Sequence, residues 1–285
     1  MRYAVLADVH ANLHALDAVL AVLEPERPDR WVVAGDLVGY GPHPDECVER
    51  LLELDPVRVA GNHDLIARGR LSAQRCIPLA RESLEWTAAT IGPETGAALD
   101  ALPPLAGEGE LVVAHGSLDD PEEYVRTPEA AQAQLELLRE RRPGARVLVL
   151  GHTHRPLAVA AGAGALPATG TLALQPGERY VLNPGSVGQS RARVPVARAM
   201  VLDLAAGEAR FLDVDYDVEA CAAALRARGL DPLSCHLPPA PFPGAYRLRR
   251  VARRALGRRP RPGAPAGGSA GAGPGGDARV DDPQA

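Results

Sequence analysis

The stretch RVLVLGHTHRP, residues 146–156, joins a continuous apolar run to a glycine and two closely spaced histidines. Residues 147–150 are branched and apolar without alternation, which is typical of a strand buried on both faces of a sheet. Ligands bind beyond the carboxyl ends of such strands, and this is where His152 and His154 lie. An isolated pair of histidines at a strand end is more often a surface or hydrogen-bonded pair. The rest of the chain therefore decides between the two interpretations.

Apolar runs alternate with helical patterns over the first 150 residues. Strands are predicted for the runs YAVLAD, WVVAGD, VRVAGNHD, LVVAHGS and RVLVLGHTH. Helices are predicted for LHALDAVLAVLE, DECVERLLEL, ARESLEWTAATI and EAAQAQLELLRER, the first of which repeats its leucines and valine at helical spacing. This alternation predicts a largely parallel sheet.

The pattern changes after residue 155. Short strands between Gly and Pro turns are predicted for PLAVAAG, TLALQ, RYVLN, ARAMVLDL and EARFLDVD, with one helix, VEACAAALRARG, after them. This spacing is typical of antiparallel strands. Together the two parts predict two packed sheets with helices outside, in one α/β domain over residues 1–237.

The C-terminal segment, residues 238–285, has a different composition. It contains proline clusters, the run YRLRRVARRALGRRPRP and a Gly, Ala and Pro-rich end, so we predict that it is largely disordered. The arginine run favours a solvated tail, with nucleic acid, a membrane surface or an acidic partner as alternatives. Acidic residues predominate over residues 1–237, and the net charge of the chain is -5. Nucleic acid is therefore not expected as a partner of the body.

Targeting and redox features predict a cytoplasmic protein. The first residues lack the charged and apolar regions of a secretory signal, and the apolar runs are too short to span a bilayer. The four cysteines, Cys47, Cys76, Cys221 and Cys235, show no CxxC pairing and are interpreted as reduced thiols. All 31 basic residues are arginine, which excludes Schiff-base and P-loop chemistry that depends on lysine.

Polar side chains follow every predicted strand of the first half. They are Asp8, His10, Asp36, Asn62, His63, Asp64, His115, His152 and His154. Because the carboxyl ends of parallel strands meet at one edge of a sheet, we expect these side chains to lie close together. Imidazole, carboxylate and carboxamide ligands without thiolate suit Mn²⁺, Fe, Zn²⁺, Co²⁺ or Ni²⁺. So many candidate ligands predict two ions, and a pair of ions acts as a clamp for displacement at phosphorus.

The motif order DVH, GD, GNHD, HG and GHTH resembles the five motifs of calcineurin-like metallophosphoesterases. The segments LADVHANLHAL, GDLVGYGPHP and VLNPGSVGQSR are similar to its small prokaryotic phosphodiesterase branch. This resemblance covers about residues 1–220 and implies a four-layer α/β/β/α sandwich of two mixed sheets flanked by helices. One difference is Ala11, which stands where the branch commonly has glycine.

The resemblance also implies roles for individual residues. It implies two ligand sets that share a bridge: Asp8, His10 and His154 for one metal, Asn62, His115 and His152 for the other, and Asp36 between them. His63 would act near the leaving-group oxygen as a general acid or charge stabiliser, with Asp64 orienting its ring.

Three further residues are candidates for substrate binding. Asn12 would cap the first helix or contact phosphate. Tyr40 would border the pocket together with the loop over residues 183–186. Arg191 is the best remaining cation for a substrate phosphate, with a surface ion pair as the alternative.

The sequence therefore predicts a dinuclear phosphodiesterase, most simply with two Mn²⁺ ions, that hydrolyses small phosphate esters by attack of metal-bound hydroxide. A phosphomonoesterase or a protein phosphatase on the same core is the first alternative. A non-catalytic retromer-like scaffold is the second, although such scaffolds lose the catalytic histidine and some ligands that this chain retains. Assembly into a homo-oligomer is left open.

Overall fold

The computed structural model describes residues 1–238, in which helices flank two six-stranded sheets. The predicted tail, residues 238–285, lies outside the described residues except for Pro238. The α-helices of the described part are α1 (Leu13–Leu23), α2 (Pro44–Leu52), α3 (Asn62–Ala67), α4 (Pro78–Thr90), α5 (Pro93–Asp100), α6 (Pro128–Arg141) and α7 (Val218–Ala227). Its strands are β1 (Arg2–Leu6), β2 (Arg30–Val33), β3 (Val57–Arg58), β4 (Ala106–Glu108), β5 (Leu111–Val113), β6 (Val147–Val149), β7 (Leu157–Ala160), β8 (Gly164–Leu166), β9 (Gly170–Ala173), β10 (Tyr180–Asn183), β11 (Ala197–Asp203) and β12 (Glu208–Val214).

The two sheets are both mixed. The first has the strand order β3-β2-β1-β11-β12-β9, and the second has the order β4-β5-β6-β10-β7-β8. Strands β1, β2 and β3 are parallel neighbours in the first sheet, whereas β5 and β6 form their parallel pair in the second. The parallel strands that the sequence predicts as one series are therefore divided between two sheets.

Strand β10 departs from the predicted antiparallel arrangement of the second half. It pairs antiparallel with β7 but parallel with β6, where Tyr180 lies opposite Val147. Its residues are all buried, so its apolar pattern satisfies either orientation equally well. The direction of its neighbour is set by the path of the chain, which the strand's own sequence does not encode.

Alternate residues of β1 show how the layers are built. Tyr3 and Val5 face the second sheet and pack in a core with Val147 and Leu182. Ala4 and Leu6 face the other way and pack against α1 and α2. A third core lies between the second sheet and α6. Two sheets face to face with a helical layer on each outer side confirm the predicted four-layer α/β/β/α sandwich.

Helix α1 carries the predicted apolar stripe. Leu16, Val19, Leu20 and Leu23 are all buried. Its first turn is capped by Asn12, whose side-chain oxygen accepts a hydrogen bond from the amide of Ala15 at 3.1 Å. Within residues 1–238, no helix is long and apolar enough to cross a membrane.

Candidate metal centre

The candidate site lies where the carboxyl ends of strands from both sheets meet. Asp8 follows β1, Asp36 follows β2, and Asn62 follows β3 in the first sheet, while His115 follows β5 and His152 follows β6 in the second. The side chains predicted to meet along one sheet edge are thus gathered from two edges. All of the predicted candidate ligands are buried.

One cluster consists of Asp8, His10, Asp36 and His154, each offering a ligand atom within 4.8 Å of the others. The Nε2 atoms of His10 and His154 are 3.0 Å apart. Asp36 Oδ2 lies 3.6 Å from His10 Nε2, and Asp8 Oδ1 lies 3.7 Å from His154 Nε2. This spacing brings two imidazoles and two carboxylates around one small volume.

A second cluster shares Asp36 with the first. Asp36, His115 and His152 offer ligand atoms within 4.8 Å of one another. His115 Nε2 lies 3.3 Å from Asp36 Oδ2 and 3.1 Å from Asn62 Oδ1. Because the same Asp36 oxygen faces His10 on one side and His115 on the other, its position suits a bridging carboxylate.

Each candidate histidine directs one ring nitrogen to a backbone carbonyl. The Nδ1 atoms of His10, His115 and His154 lie 3.1, 2.7 and 2.8 Å from the carbonyl oxygens of Val38, Ala34 and Gln189, and His152 Nε2 lies 3.2 Å from that of Glu122. A carbonyl only accepts, so these nitrogens carry a proton, and in a neutral imidazole the other ring nitrogen then keeps its lone pair. This outer hydrogen bonding is typical of metal-ligating histidines.

Two observations test whether these residues fit a cation. Asp8 Oδ2 is buried and has no hydrogen-bond partner among the described residues. The lone pairs of His10 Nε2 and His154 Nε2 face each other at 3.0 Å, and they repel unless a positive charge lies between them. Both features are satisfied by a metal ion, and imidazole, carboxylate and amide donors suit a transition metal. The residues therefore fit the predicted cations.

Burial determines the charge states of the imidazoles. It lowers the pKa of His10, His152 and His154 well below the ordinary value, so these rings are neutral and able to act as ligands. Burial also acts to lower the pKa of His115, but the adjacent Asp36 carboxylate outweighs this effect and raises the pKa to about 9.

The carboxylates respond to the same environment. Burial, reinforced by Asp36, raises the pKa of Asp8 to about 7. Burial acts in the same direction on Asp36, but the neighbouring His115 and His63 hold the pKa of Asp36 well below its usual range. Two carboxylates in one buried pocket need compensating positive charge, which two divalent ions would supply.

The backbone of the site is held in an unusual conformation. Nine non-glycine residues of the described chain have positive φ, and seven of these belong to the site loops. These seven are Asp8, His10, Ala11, Asp36, Tyr40, His152 and His154. Left-handed conformations cost energy for residues with a Cβ atom and cluster at functional sites. The surrounding fold thus imposes the directions of the candidate ligands.

His63 lies beside the clusters without joining either of them. Its ring centroid is 4.7 Å from that of His10 and 4.9 Å from that of Tyr40. Its Nδ1 atom is buried and has no hydrogen-bond partner in the described structure. A Cβ atom at Gly39 would lie 2.3 Å from this nitrogen, so only glycine leaves room for the ring. A buried nitrogen without a partner is consistent with a functional role.

Asp64 does not orient the His63 ring as the sequence predicts. Its Oδ1 atom accepts hydrogen bonds from the amides of Leu37 and Val38, and its Oδ2 atom accepts from the amide of Gly61. Asp64 is the third residue of α3 and turns back to cap the helix start. Successive helical residues do not face each other, so this carboxylate points away from the neighbouring ring.

The contacts of Asn12 and Arg191 bear on the roles left open for these two residues. Asn12 is fully buried; it caps α1, and its amide nitrogen donates to the carbonyl of Gly188 at 2.9 Å. This favours capping over phosphate contact. Arg191 is partly exposed, and its Nε atom donates to Gln189 Oε1 at 3.2 Å. Its charge acts on Asp8, His10 and His63, which favours a guanidinium directed toward the site over a surface ion pair.

Residues 183–186 lie against the site as the sequence predicts. The Asn183 amide donates to the carbonyl of Gly151 at 2.6 Å and to Thr153 Oγ1 at 3.2 Å. Ser186 Oγ donates to the carbonyl of Asp8 at 2.9 Å. These bonds fix the loops that carry Asp8, His152 and His154.

Sequence reasoning missed Tyr124. Its ring packs on His152 with the centroids 4.1 Å apart, and the Cζ atom of Arg126 lies 3.8 Å from the Tyr124 centroid. The run EEYVR between β5 and α6 contains this aromatic and basic pair, but it follows no apolar strand. Its proximity to the site depends on how the loop after β5 folds back.

Comparison with known proteins agrees with this architecture. A family model described as the calcineurin-like phosphoesterase superfamily domain matches residues 1–207. The uncharacterized protein MJ0912 of Methanocaldococcus jannaschii is 30% identical over 222 residues, which cover 76% of this chain and 88% of that protein. The crystal structure of a metallophosphoesterase from Sphaerobacter thermophilus is 34% identical with a TM-score of 0.70, covering 82% of this chain and 97% of that one. The hypothetical protein PH1004 of Pyrococcus horikoshii shares the fold at 20% identity and a TM-score of 0.66, with 81% and 96% covered.

Proposed function

This chain belongs to the calcineurin-like phosphoesterase superfamily, and we propose that it is a dinuclear metal-dependent phosphodiesterase acting on small phosphate esters. The observation that carries the proposal is the shared Asp36 oxygen, 3.6 Å from His10 Nε2 and 3.3 Å from His115 Nε2. Asp8, His10 and His154 would complete one cation site, and Asn62, His115 and His152 the other. Two cations held there would supply an activated water and positive charge for cleavage of a P–O bond.

The protein's own groups would position and protonate the substrate. His63 lies next to His10, on the side of the site that faces Tyr40. Burial lowers the pKa of His63, and the negative charge of a bound phosphate would raise it again. His63 is therefore suited to give a proton to the leaving-group oxygen, or to stabilise its charge. Arg191 would hold a phosphoryl oxygen through its guanidinium.

Two alternatives use the same residues. A phosphomonoesterase or a protein phosphatase would use the same clusters, and only the substrate distinguishes them. A non-catalytic scaffold would have no use for buried carboxylates whose charge needs cations, or for an unpartnered nitrogen on His63. Cytoplasmic location stays a sequence-based prediction, and assembly into a homo-oligomer stays open.

The proposal is tested with purified full-length protein depleted of metal. After addition of Mn²⁺, Zn²⁺, Co²⁺, Ni²⁺ or Fe²⁺, turnover is measured on an aryl phosphodiester, an aryl phosphomonoester and a phosphopeptide. We expect Mn²⁺ to restore hydrolysis, with a higher kcat/KM for the diester. A higher value for the monoester or the peptide would reassign the substrate class, and turnover without metal would contradict the mechanism.

A further inference from the structure

Three arginines surround the His152 and His154 side of the candidate metal centre. Arg126 lies over the Tyr124 ring, Arg155 directly follows His154 in the chain, and Arg191 is tied to Gln189, whose carbonyl accepts from His154. Arg126 and Arg155 are exposed, and Arg191 is partly exposed. Each guanidinium is therefore at least partly exposed, although its residue lies close to the candidate ligands in the chain or through the contacts above.

Arg155 and Arg191 lie close enough to Arg126 for their positive charges to act on it. Burial lowers the pKa of Arg126, and the nearby charges of Arg191 and Arg155 lower it further. Several other arginines at the surface are paired, as Arg68 is with Asp100 at 2.8 Å and Arg141 with Asp119 at 2.5 Å. None of the three forms such an ion pair within residues 1–238. Like charges held together in this way favour an anionic ligand.

The stack of Tyr124 sets the position of Arg126 relative to the metal centre. The His152 ring centroid and the Arg126 Cζ atom lie 4.1 and 3.8 Å from the Tyr124 centroid. Two groups so close to one ring centre cannot share a face, so the tyrosine separates them. Arg126 therefore lies across Tyr124 from His152 and is not directed at the candidate ligands, and its cation–π contact with Tyr124 restrains it there.

We infer that Arg126 and Arg155, beside the Arg191 guanidinium that would hold the first phosphoryl group, form a second anion subsite, so that the preferred substrate is a phosphate ester carrying a further phosphoryl group. The planar guanidinium matches phosphoryl oxygens in a two-pronged hydrogen-bonding geometry, which makes arginine the suited residue for this role. This inference rests on the proposed function, because the first phosphoryl group is taken to bind at the metal centre.

The experiment compares two ligands that differ by one phosphoryl group, adenosine 5′-monophosphate and adenosine 3′,5′-bisphosphate. Calorimetry with the Mn²⁺-loaded full chain measures both Kd values for the wild type, Arg126→Gln and Arg155→Gln. Arg142→Gln is the matched control, since Arg142 is exposed at the far end of α6 and its replacement changes the net charge equally.

We expect the wild type to bind the bisphosphate about tenfold more tightly than the monophosphate, as an added charge-assisted contact implies. Arg126→Gln and Arg155→Gln should each remove most of this preference while leaving monophosphate binding, metal content and melting temperature unchanged. The Arg142→Gln control should keep the preference. Equal Kd values for the two ligands in the wild type, or an equal loss in the control, would overturn the subsite.

The proposed function fails in a different way. If the wild type shows no metal-dependent hydrolysis of any ester but still prefers the bisphosphate, the anion subsite stands and the catalytic proposal does not. If hydrolysis is metal-dependent and the preference is absent, the catalytic proposal stands and the subsite does not.

Discussion

His63 and Asp36 are in direct contact, since the amide of His63 donates to Asp36 Oδ1 at 2.8 Å, yet their side chains have different surroundings. Replacing His63 by alanine keeps this amide and all seven candidate ligands. We therefore expect His63→Ala to retain two metal ions per chain and to lose a factor of about 10²–10⁴ in rate with a poor leaving group. The loss should shrink for a nitrophenolate leaving group, which needs little protonation.

Asp36→Asn is the contrasting change to His63→Ala. It removes the charge that faces both clusters, so metal content should fall and activity should fall with it for every leaving group. Metal content per chain, measured beside turnover of esters with good and poor leaving groups, distinguishes the two variants. If His63→Ala loses as much metal as Asp36→Asn, His63 is a ligand and the proposed division of roles is wrong.

Ala11 has a left-handed backbone, with φ of 50°, at the position where the similar branch commonly has glycine. An L-residue with a Cβ atom is strained in this conformation. We expect Ala11→Gly to leave the melting temperature unchanged or to raise it, because relief of strain offsets the added freedom of the unfolded chain. Ala18→Gly in α1 is the control and should cost about 1 kcal/mol of unfolding free energy. Equal losses in the two variants would show that Ala11 carries no strain.

At the scale of secondary-structure elements, the approach of α3 to the loop after β2 holds the two clusters together. Gly61 precedes α3, and a Cβ atom there would lie 2.0 Å from Asp36 Oδ1 and 2.3 Å from the Asp36 amide nitrogen. Because backbone atoms cannot move aside easily, Gly61→Ala should push the helix away from Asp36 and carry Asn62 and His63 with it. We expect a loss of metal affinity of at least tenfold, measured by calorimetry with Mn²⁺.

Gly92→Ala provides a matched control for this change. Gly92 occupies the same position before α5, but a Cβ atom there would meet only the carboxyl group of Asp45, whose nearest atom lies 3.6 Å away, an ordinary contact. Its metal affinity should equal that of the wild type. Unaltered metal binding in Gly61→Ala would mean that the loop after β2 adjusts freely and that the packing of α3 does not position Asp36.

Some features of the site and its strands can be predicted from the sequence, and others cannot. A polar residue after a buried strand is placed by local pattern alone, so Asp8, His115 and His152 could be assigned to one site in advance. The bonds of Asp64 depend on the helix cap, and the sheet to which β5 belongs depends on contacts distant in sequence. The three-residue strands β4 and β8 are too short to show any periodicity.

For the whole molecule, the location of the candidate ligands joins the metal centre to the stability of the fold. Asp8, Asp36 and Asn62 come from the first sheet, whereas His115, His152 and His154 come from the second, and the central core packs these sheets together. A cation bound by both groups therefore links the two sheets. It binds the native chain in preference to the unfolded chain, which has no assembled site, so it must stabilise the fold.

We expect metal removal by a chelator to lower the melting temperature, and Mn²⁺ to restore it. At a free concentration of a hundred times Kd, one site contributes about 2.7 kcal/mol. For a domain of this size that corresponds to a shift of roughly 5–10 °C, measured by calorimetry at fixed protein concentration. His63→Ala should show the full shift, because its candidate ligands are intact, and Asp36→Asn should show a much smaller one. An identical melting temperature with and without metal in the wild type would mean that the clusters do not bind a cation. A ligand that binds only the native state cannot leave the stability of that state unchanged.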